Sequence, residues 1–199
     1  MRITRFTHSY VRLELDSSAV IVIDPGIWSE PRALARADAV LVTHEHVDHA
    51  DQLRLLGLGA PVYAPTGADL GDLPYTPVEP GLTYEVAGAR VEAFGGSHAR
   101  VHPDQEVCAN VGYLVDGVVY HPGDALHVPS REIDLLLVPL QAAWLKTDEA
   151  ITFVRTVQPQ RATGIHDGQV NQRGLASLNG WLEEESGTDY RWVPPGEIV

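Results

Sequence analysis

Three histidines and an aspartate fall within six consecutive residues of this chain, in the string THEHVDHA. His44 and His46 are two positions apart, so at an extended strand end both imidazoles point to the same side. Asp48 and His49 follow where the chain is predicted to turn into a helix, which places further polar side chains close by. Such a group is costly to bury without a cation, and Zn²⁺, Fe²⁺ or Mn²⁺ satisfies all of its members. The spacing therefore predicts a metal site; the alternative is a solvated polar loop with incidental histidines.

The elements that must position this string are predicted to be short strands alternating with short helices. Residues 39–43 form a buried apolar strand that ends at His44, and residues 11–24 form two strands around a serine turn. Asp116-Gly117, between two apolar runs, is a preferred two-residue hairpin turn, and Ala87-Gly88 predicts a second hairpin. Strands clearly outnumber helices, which favours a layered mixed α/β domain spanning residues 1–199.

The predicted helices and the last strand complete this sketch. They are 29–38 with Pro31 in its first turn, 49–59, 148–158 with Thr147 as N-cap, about 173–185, and an edge-like strand over 191–199.

Composition excludes several classes of function. The chain has 27 acidic and 14 basic residues, for a net charge of −13, which opposes unspecific binding to phosphate backbones. No apolar run approaches the roughly 18 residues of a membrane span. The N-terminal residues lack the apolar stretch of a secretory signal, and the single cysteine, Cys108, cannot form an internal disulfide. We therefore expect a cytoplasmic protein that binds neither nucleic acid nor membrane.

The H-x-H-x-D-H string at the end of a buried strand resembles the metallo-β-lactamase superfamily, and further residues match that family in its order. Asp24 in VIVIDPG matches an early aspartate that supports the ligands, and His98 in GGSHARVHP matches the third histidine. Asp124 in YHPGDA matches the metal-bridging aspartate, and His166 in GIHDG matches the last histidine. The resemblance implies an α/β fold, a four-layer αββα sandwich with the site along one edge.

The resemblance also implies two metal positions. The first would be held by His44, His46 and His98, and the second by Asp48, His49 and His166. Asp124 and a water or hydroxide would bridge the two ions, and Asp48 and Asp124 would be the catalytic carboxylates. Zn²⁺ is the expected metal, with Mn²⁺ or Fe²⁺ as alternatives.

Three of these assignments have rival interpretations. His102 lies four residues after His98 and could take its place, although chain order and the preceding GGS favour His98. Asp124 could be a turn residue, since aspartate is common in turns. His166 and the following aspartate could be a surface pair, although their place after a short strand favours a ligand.

The remaining polar and aromatic candidates have weaker predicted roles. His8 and His121 are candidates for groups that support the ligands or line the pocket, and His127 less so. Trp144, Lys146 and Tyr113 are candidates for substrate contact, with packing as the alternative for the aromatic residues.

Within the family, the chain is similar to the compact branch that contains ascorbate-phosphate lactonase-like hydrolases. The resemblance implies a hydrolase that uses a metal-bridging hydroxide to cleave a small ester, lactone, amide or phosphoester. The alternatives are a mononuclear iron oxygenase or redox protein on the same fold, and a non-catalytic metal-binding module. A small-molecule substrate is expected, and the oligomeric state is left open.

Overall fold

Two β-sheets lie face to face at the centre of the molecule, and a computed structural model describes all residues from Met1 to Val199. The first sheet has six strands side by side in chain order: β1 (Arg2–Arg5), β2 (Val11–Glu14), β3 (Val20–Ile23), β4 (Ala39–Leu41), β5 (Val62–Pro65) and β6 (Thr76–Val78). β1 to β3 are antiparallel, whereas β3 to β6 run parallel.

The second sheet repeats this plan with seven strands, again side by side in chain order. They are β7 (Thr83–Val86), β8 (Ala89–Gly95), β9 (Val111–Val115), β10 (Val119–His121), β11 (Leu135–Pro139), β12 (Arg161–Ile165) and β13 (Asp189–Tyr190). β7 to β10 are antiparallel and β10 to β13 are parallel. In each half, the parallel strands send their carboxyl ends to one edge.

Helices cover the outer face of each sheet. They are α1 (Gln52–Leu56), a 3-10 helix over Pro31–Leu34, α2 (Thr147–Val157) and α3 (Gln172–Glu185). Ile21 and Leu137 face the core between the sheets, as period-two alternation requires. Val22 faces the layer that contains α1 and the 3-10 helix, and Val138 faces α2 and α3. The predicted four-layer αββα sandwich is confirmed, and none of the helices is long and apolar enough to span a bilayer.

Both predicted hairpins form, and four predicted elements differ from the structure, one of them the helix predicted over 49–59, which is reduced to Gln52–Leu56. The helix predicted over 29–38 is reduced to one 3-10 turn, and Thr147 is the first residue of α2 rather than its N-cap. The strand predicted over 191–199 is wrong: strand β13 ends at Tyr190, and the tail makes one bridge from Ile198 to Thr4. Two prolines in that tail fix φ and lack the N–H that continuous pairing needs.

Candidate metal centre

The predicted ligands come from strand ends that meet at one edge of the sandwich. Asp24 follows β3, His44 lies three residues after β4, and His166 follows β12 directly. The two sheets are joined at this edge, because the amide of Val111 donates to the Thr43 carbonyl at 2.9 Å. Side chains distant in sequence therefore converge on a common volume.

Three overlapping groups of side chains place their candidate ligand atoms within 4.8 Å of one another. They are His44, His46 and His98; His8, Asp48, His49 and His166; and His44, His49 and Asp124. All seven residues predicted as ligands are thus brought together, with His8 as an addition. His102 is exposed and belongs to none of these groups, whereas His98 is buried.

Four ligand atoms in these groups are buried and have no hydrogen-bond partner: Nε2 of His44, His49 and His98, and Oδ1 of Asp124. An unpaired buried polar atom costs roughly 1–3 kcal/mol, so such atoms are rarely left together without a reason. Divalent cations would satisfy these atoms, because imidazole nitrogens and carboxylate oxygens are their usual ligands. The donor set therefore fits a metal.

Hydrogen bonds at Nδ1 direct Nε2 of three histidines toward Asp124. Nδ1 of His49 donates to Oδ2 of Asp24 at 2.7 Å, and Nδ1 of His98 donates to the next carbonyl at 2.5 Å. Nδ1 of His166 donates to the carbonyl of Gln141. A neutral imidazole with its proton on Nδ1 has its lone pair on Nε2, so these bonds orient each ring for ligation.

Thr43 does the same for His44. The Thr43 hydroxyl donates to Oδ2 of Asp24 at 2.6 Å and so accepts from Nδ1 of His44 at 3.1 Å. The Thr43 amide donates to Oδ1 of Asp24 at 2.7 Å. Asp24 is fully buried and lies behind the ligands, so it orients two of them without facing the centre of the group.

His8 has the opposite tautomer. Its Nδ1 accepts the amide N–H of Gly168 at 3.2 Å, so the proton of the neutral ring is on Nε2 and points to Oδ2 of Asp48 at 3.2 Å. The backbone N–H of His8 donates to Oδ1 of Asp167, which also pairs with the buried Arg5. His8 therefore holds the Asp48 carboxylate in place and has no free lone pair for a metal.

His121 is fixed in the same way. Its Nδ1 accepts the amide of Gly123 at 3.1 Å, and its Nε2 donates to the carbonyl of Ser9 at 2.7 Å. The ring is fully buried and holds the turn that leads to Asp124 against the start of the chain. Both ring nitrogens are occupied, so the structure places His121 behind the ligands.

The other predicted contact residues are spread over several environments. Nε1 of Trp144 donates to Oδ2 of Asp124 at 3.1 Å, and Lys146 is exposed at the start of α2. Tyr113 is a core residue whose hydroxyl donates to the carbonyl of Val42, so the expectation that it contacts substrate is wrong. His127 is exposed outside the cluster.

Asp124 lies at the centre of the charge distribution. Its Oδ1 is 3.3 Å from Nε2 of His49, and its Oδ2 is 3.1 Å from Nε2 of His166 and 3.4 Å from that of His98. Burial raises the pKa of Asp124, but His49 and His166 outweigh burial and hold it well below its usual range. Burial lowers the pKa of His49, but Asp124 and Asp24 outweigh that effect and raise it well above its usual range. The space between these rings and Asp124 thus favours a positive charge.

Two residues that sequence reasoning missed shape this centre. Thr43 has a signal in the sequence, because it is a polar residue at a buried strand end directly before a ligand. Asn110 has none, although its Oδ1 accepts the amide of Asp124 at 2.9 Å and its Nδ2 donates to the carbonyl of Pro122 at 2.9 Å.

The metal-free protein is expected to lose stability as the pH falls from 6.5 to about 4. Burial lowers the pKa of His8 from 6.5 to about 4. The unfolded chain therefore takes up a proton that the folded chain refuses, at a cost of about 3 kcal/mol across this window. Urea unfolding of the chelated protein at several pH values measures this loss. The loss should be smaller in His8→Gln and unchanged in His127→Gln, an exposed control; equal stability at pH 7 and pH 4 would contradict it.

Known proteins share this sequence and architecture. Residues 2–166 match the model of the β-lactamase superfamily domain. Protein Rv0786c of Mycobacterium tuberculosis is 36% identical over 212 aligned residues, covering 100% of this chain and 99% of that protein. The UPF0173 metal-dependent hydrolase TTHA1283 of Thermus thermophilus is 29% identical over 96% of this chain and 95% of its own. Igni18, a metallo hydrolase from Ignicoccus hospitalis, superimposes with a TM-score of 0.74 at 20% identity, covering 100% of this chain and 97% of that one.

Proposed function

This chain belongs to the metallo-β-lactamase superfamily and is a metal-dependent hydrolase, and from that premise we propose that two divalent cations enable it to cleave a small ester, lactone, amide or phosphoester. The observation that supports two ions is the set of unpaired buried ligand atoms. The unpaired atoms of His44 and His98 belong to the first group of ligands, and the unpaired atom of His49 belongs to the second. Asp124 contacts members of both groups. One ion would leave part of this set without a partner.

We assign the first ion to His44, His46 and His98, the second to Asp48, His49 and His166, and a shared position to Asp124. Zn²⁺ suits a site of five imidazoles and two carboxylates, and Mn²⁺ or Fe²⁺ would also be accepted. When bound, such metals supply a hydroxide near neutral pH, by lowering the pKa of a bound water, and polarise the oxygen of the scissile group.

The protein's own contribution is orientation. Asp24 and Thr43 fix the rings of His49 and His44, and His8 fixes the carboxylate of Asp48. The Trp144 indole N–H donates to Oδ2 of Asp124 and limits rotation of that carboxylate. These contacts hold the ligands in place before substrate arrives, so little reorganisation is needed during the reaction.

A small-molecule substrate fits the rest of the molecule. The net charge of −13 opposes a nucleic-acid substrate, and we propose that the protein acts in the cytoplasm. His46 is the exposed member of the group formed with His44 and His98. A substrate can therefore reach the ligand cluster from the side of His46.

Metal analysis tests the two-ion assignment. Protein purified without added metal is expected to contain close to two equivalents by mass spectrometry, and His98→Ala close to one. His127→Ala, which changes an exposed histidine outside the cluster, should keep both. Full hydrolytic activity with one equivalent or none would contradict the assignment. Turnover that requires both iron and oxygen would instead support an oxygenase.

A further inference from the structure

We propose that the substrate carries an apolar acyl group and that this group lies on a surface formed by Ile27, Trp28 and Val47. This surface, called the apolar rim below, adjoins the ligands of the second metal position. The inference rests on the proposed hydrolytic function and narrows its substrate class.

The apolar rim consists of large hydrophobic side chains that the fold leaves in solvent. Ile27, Trp28 and Val47 are 48%, 39% and 56% exposed. The Ile27 amide donates to the carbonyl of Val47 at 3.0 Å, which joins the loop after β3 to the loop that carries the ligands. Neighbouring exposed apolar side chains on a single protein commonly mark a binding surface.

The rim is built directly onto the ligand loop. Val47 lies between the ligands His46 and Asp48. A Cβ atom on Gly26 would be 1.7 Å from the carbonyl oxygen of Asp48, so only glycine allows the two loops to approach this closely. The rim therefore has a fixed position relative to the reacting group.

Trp28 extends the rim to His8, which lies in the second group of ligands. Its ring is 4.8 Å from that of His8, edge to face, and a Cβ atom on Gly168 would be 2.9 Å from its Cε3. The indole is thus held between the residue that orients Asp48 and the segment that follows His166. A chain attached to a carbonyl at the ligand cluster would leave along this surface.

Two arginines near the rim are already paired. Arg5 is buried and bound to Asp167 and to two backbone carbonyls, those of Gly164 and Val193. Arg54, which reaches the carbonyl next to Trp28, pairs with Asp51. Neither of these two arginines is therefore free to bind an anionic group on this side.

For an ester substrate, the reaction is a hydrolysis with no other reactant. The oxygen of a water molecule bonds to the acyl carbon while the bond from that carbon to the ester oxygen breaks. The alcohol leaves with one proton of the water, and the carboxylic acid releases the other to solvent at neutral pH.

A series of p-nitrophenyl esters from acetate to octanoate tests the rim with the metal-loaded protein. We expect kcat/KM to rise with acyl length, by up to about fourfold per methylene. Trp28→Ala and Ile27→Ser should flatten this rise, so that the ratio of kcat/KM for octanoate to kcat/KM for acetate falls in each variant. Leu53→Ser alters a leucine on α1 that is 85% exposed and lies outside the rim, so it should keep the wild-type slope.

Binding of the products gives a second readout that does not depend on turnover. Calorimetric titration with butyrate, hexanoate and octanoate should show affinity increasing with length in the wild type and less so in Trp28→Ala. Ester hydrolysis with no dependence on acyl length, in wild type and variants alike, would overturn the rim and leave the proposed function standing. Failure to hydrolyse any of these esters with both metals bound, while another small substrate is cleaved, would also overturn the acyl site on the rim and leave the proposed function standing. Failure on every small substrate would contradict the proposed function.

Discussion

Replacing Asp124 with alanine is expected to lower kcat by roughly a hundredfold to a thousandfold, because the change removes the one carboxylate shared by both groups of ligands. The rings of His49 and His166 would remain in place. The negative charge of Asp124, which favours cations in the space between these rings, would be lost. Occupancy of both metal positions should therefore fall together with turnover, which metal analysis of the same samples measures.

Two variants separate this effect from general damage. Asp148→Asn removes an exposed carboxylate at the start of α2 and should keep wild-type kcat and metal content. Trp144→Phe removes only the indole donor to Asp124 and should have an intermediate effect. If Asp124→Ala keeps its metals and its turnover, the shared position that we assign to Asp124 is wrong.

Asp24→Ala is expected to combine a loss of stability with a loss of metal affinity. Asp24 accepts the amide and hydroxyl of Thr43 and Nδ1 of His49, all in a fully buried position. Each buried donor left unpaired costs about 1–3 kcal/mol, so the free energy of unfolding should fall by about 3 kcal/mol or more. Loss of a group that orients metal ligands typically lowers metal affinity by about 10- to 100-fold.

Chemical denaturation and competition with a metal-binding dye measure the two losses separately. Asp38→Ala is a useful comparison, because its carboxylate accepts one backbone amide, that of Val20, away from the ligands. This variant should lose some stability and keep its metal affinity. Unchanged metal affinity in a folded Asp24→Ala protein would show that the orienting role is wrong.

The metal cluster was largely predictable because its densest part is local. His44, His46, Asp48 and His49 lie in one short string, and a strand end followed by a turn is enough to bring them together. His98, Asp124 and His166 were placed only through chain order and resemblance to a known family. The hairpin at Asp116-Gly117 was predicted for a similar local reason, since the turn residues themselves specify the geometry.

The supporting contacts were not predictable in the same way because they join distant parts of the chain. The tautomer of His8 depends on the amide of Gly168, and the backbone of Asp124 depends on Asn110. No periodicity or spacing in the sequence encodes these pairs. The prediction for the closing segment failed for a different reason: its two prolines lack the N–H donors that a continuous strand requires.

The division of the ligands between the two sheets gives the bound ions a further role as cross-links. For the first ion, His44 and His46 follow β4 of the first sheet and His98 follows β8 of the second. For the second ion, His49 belongs to the same loop after β4, and His166 follows β12 of the second sheet. Each ion would therefore tie one half of the sandwich to the other across a long stretch of chain, as a disulfide does in secreted proteins. The chain has one cysteine and therefore no internal disulfide. The bound ions would serve as cross-links in its place and oppose separation of the two halves of the sandwich.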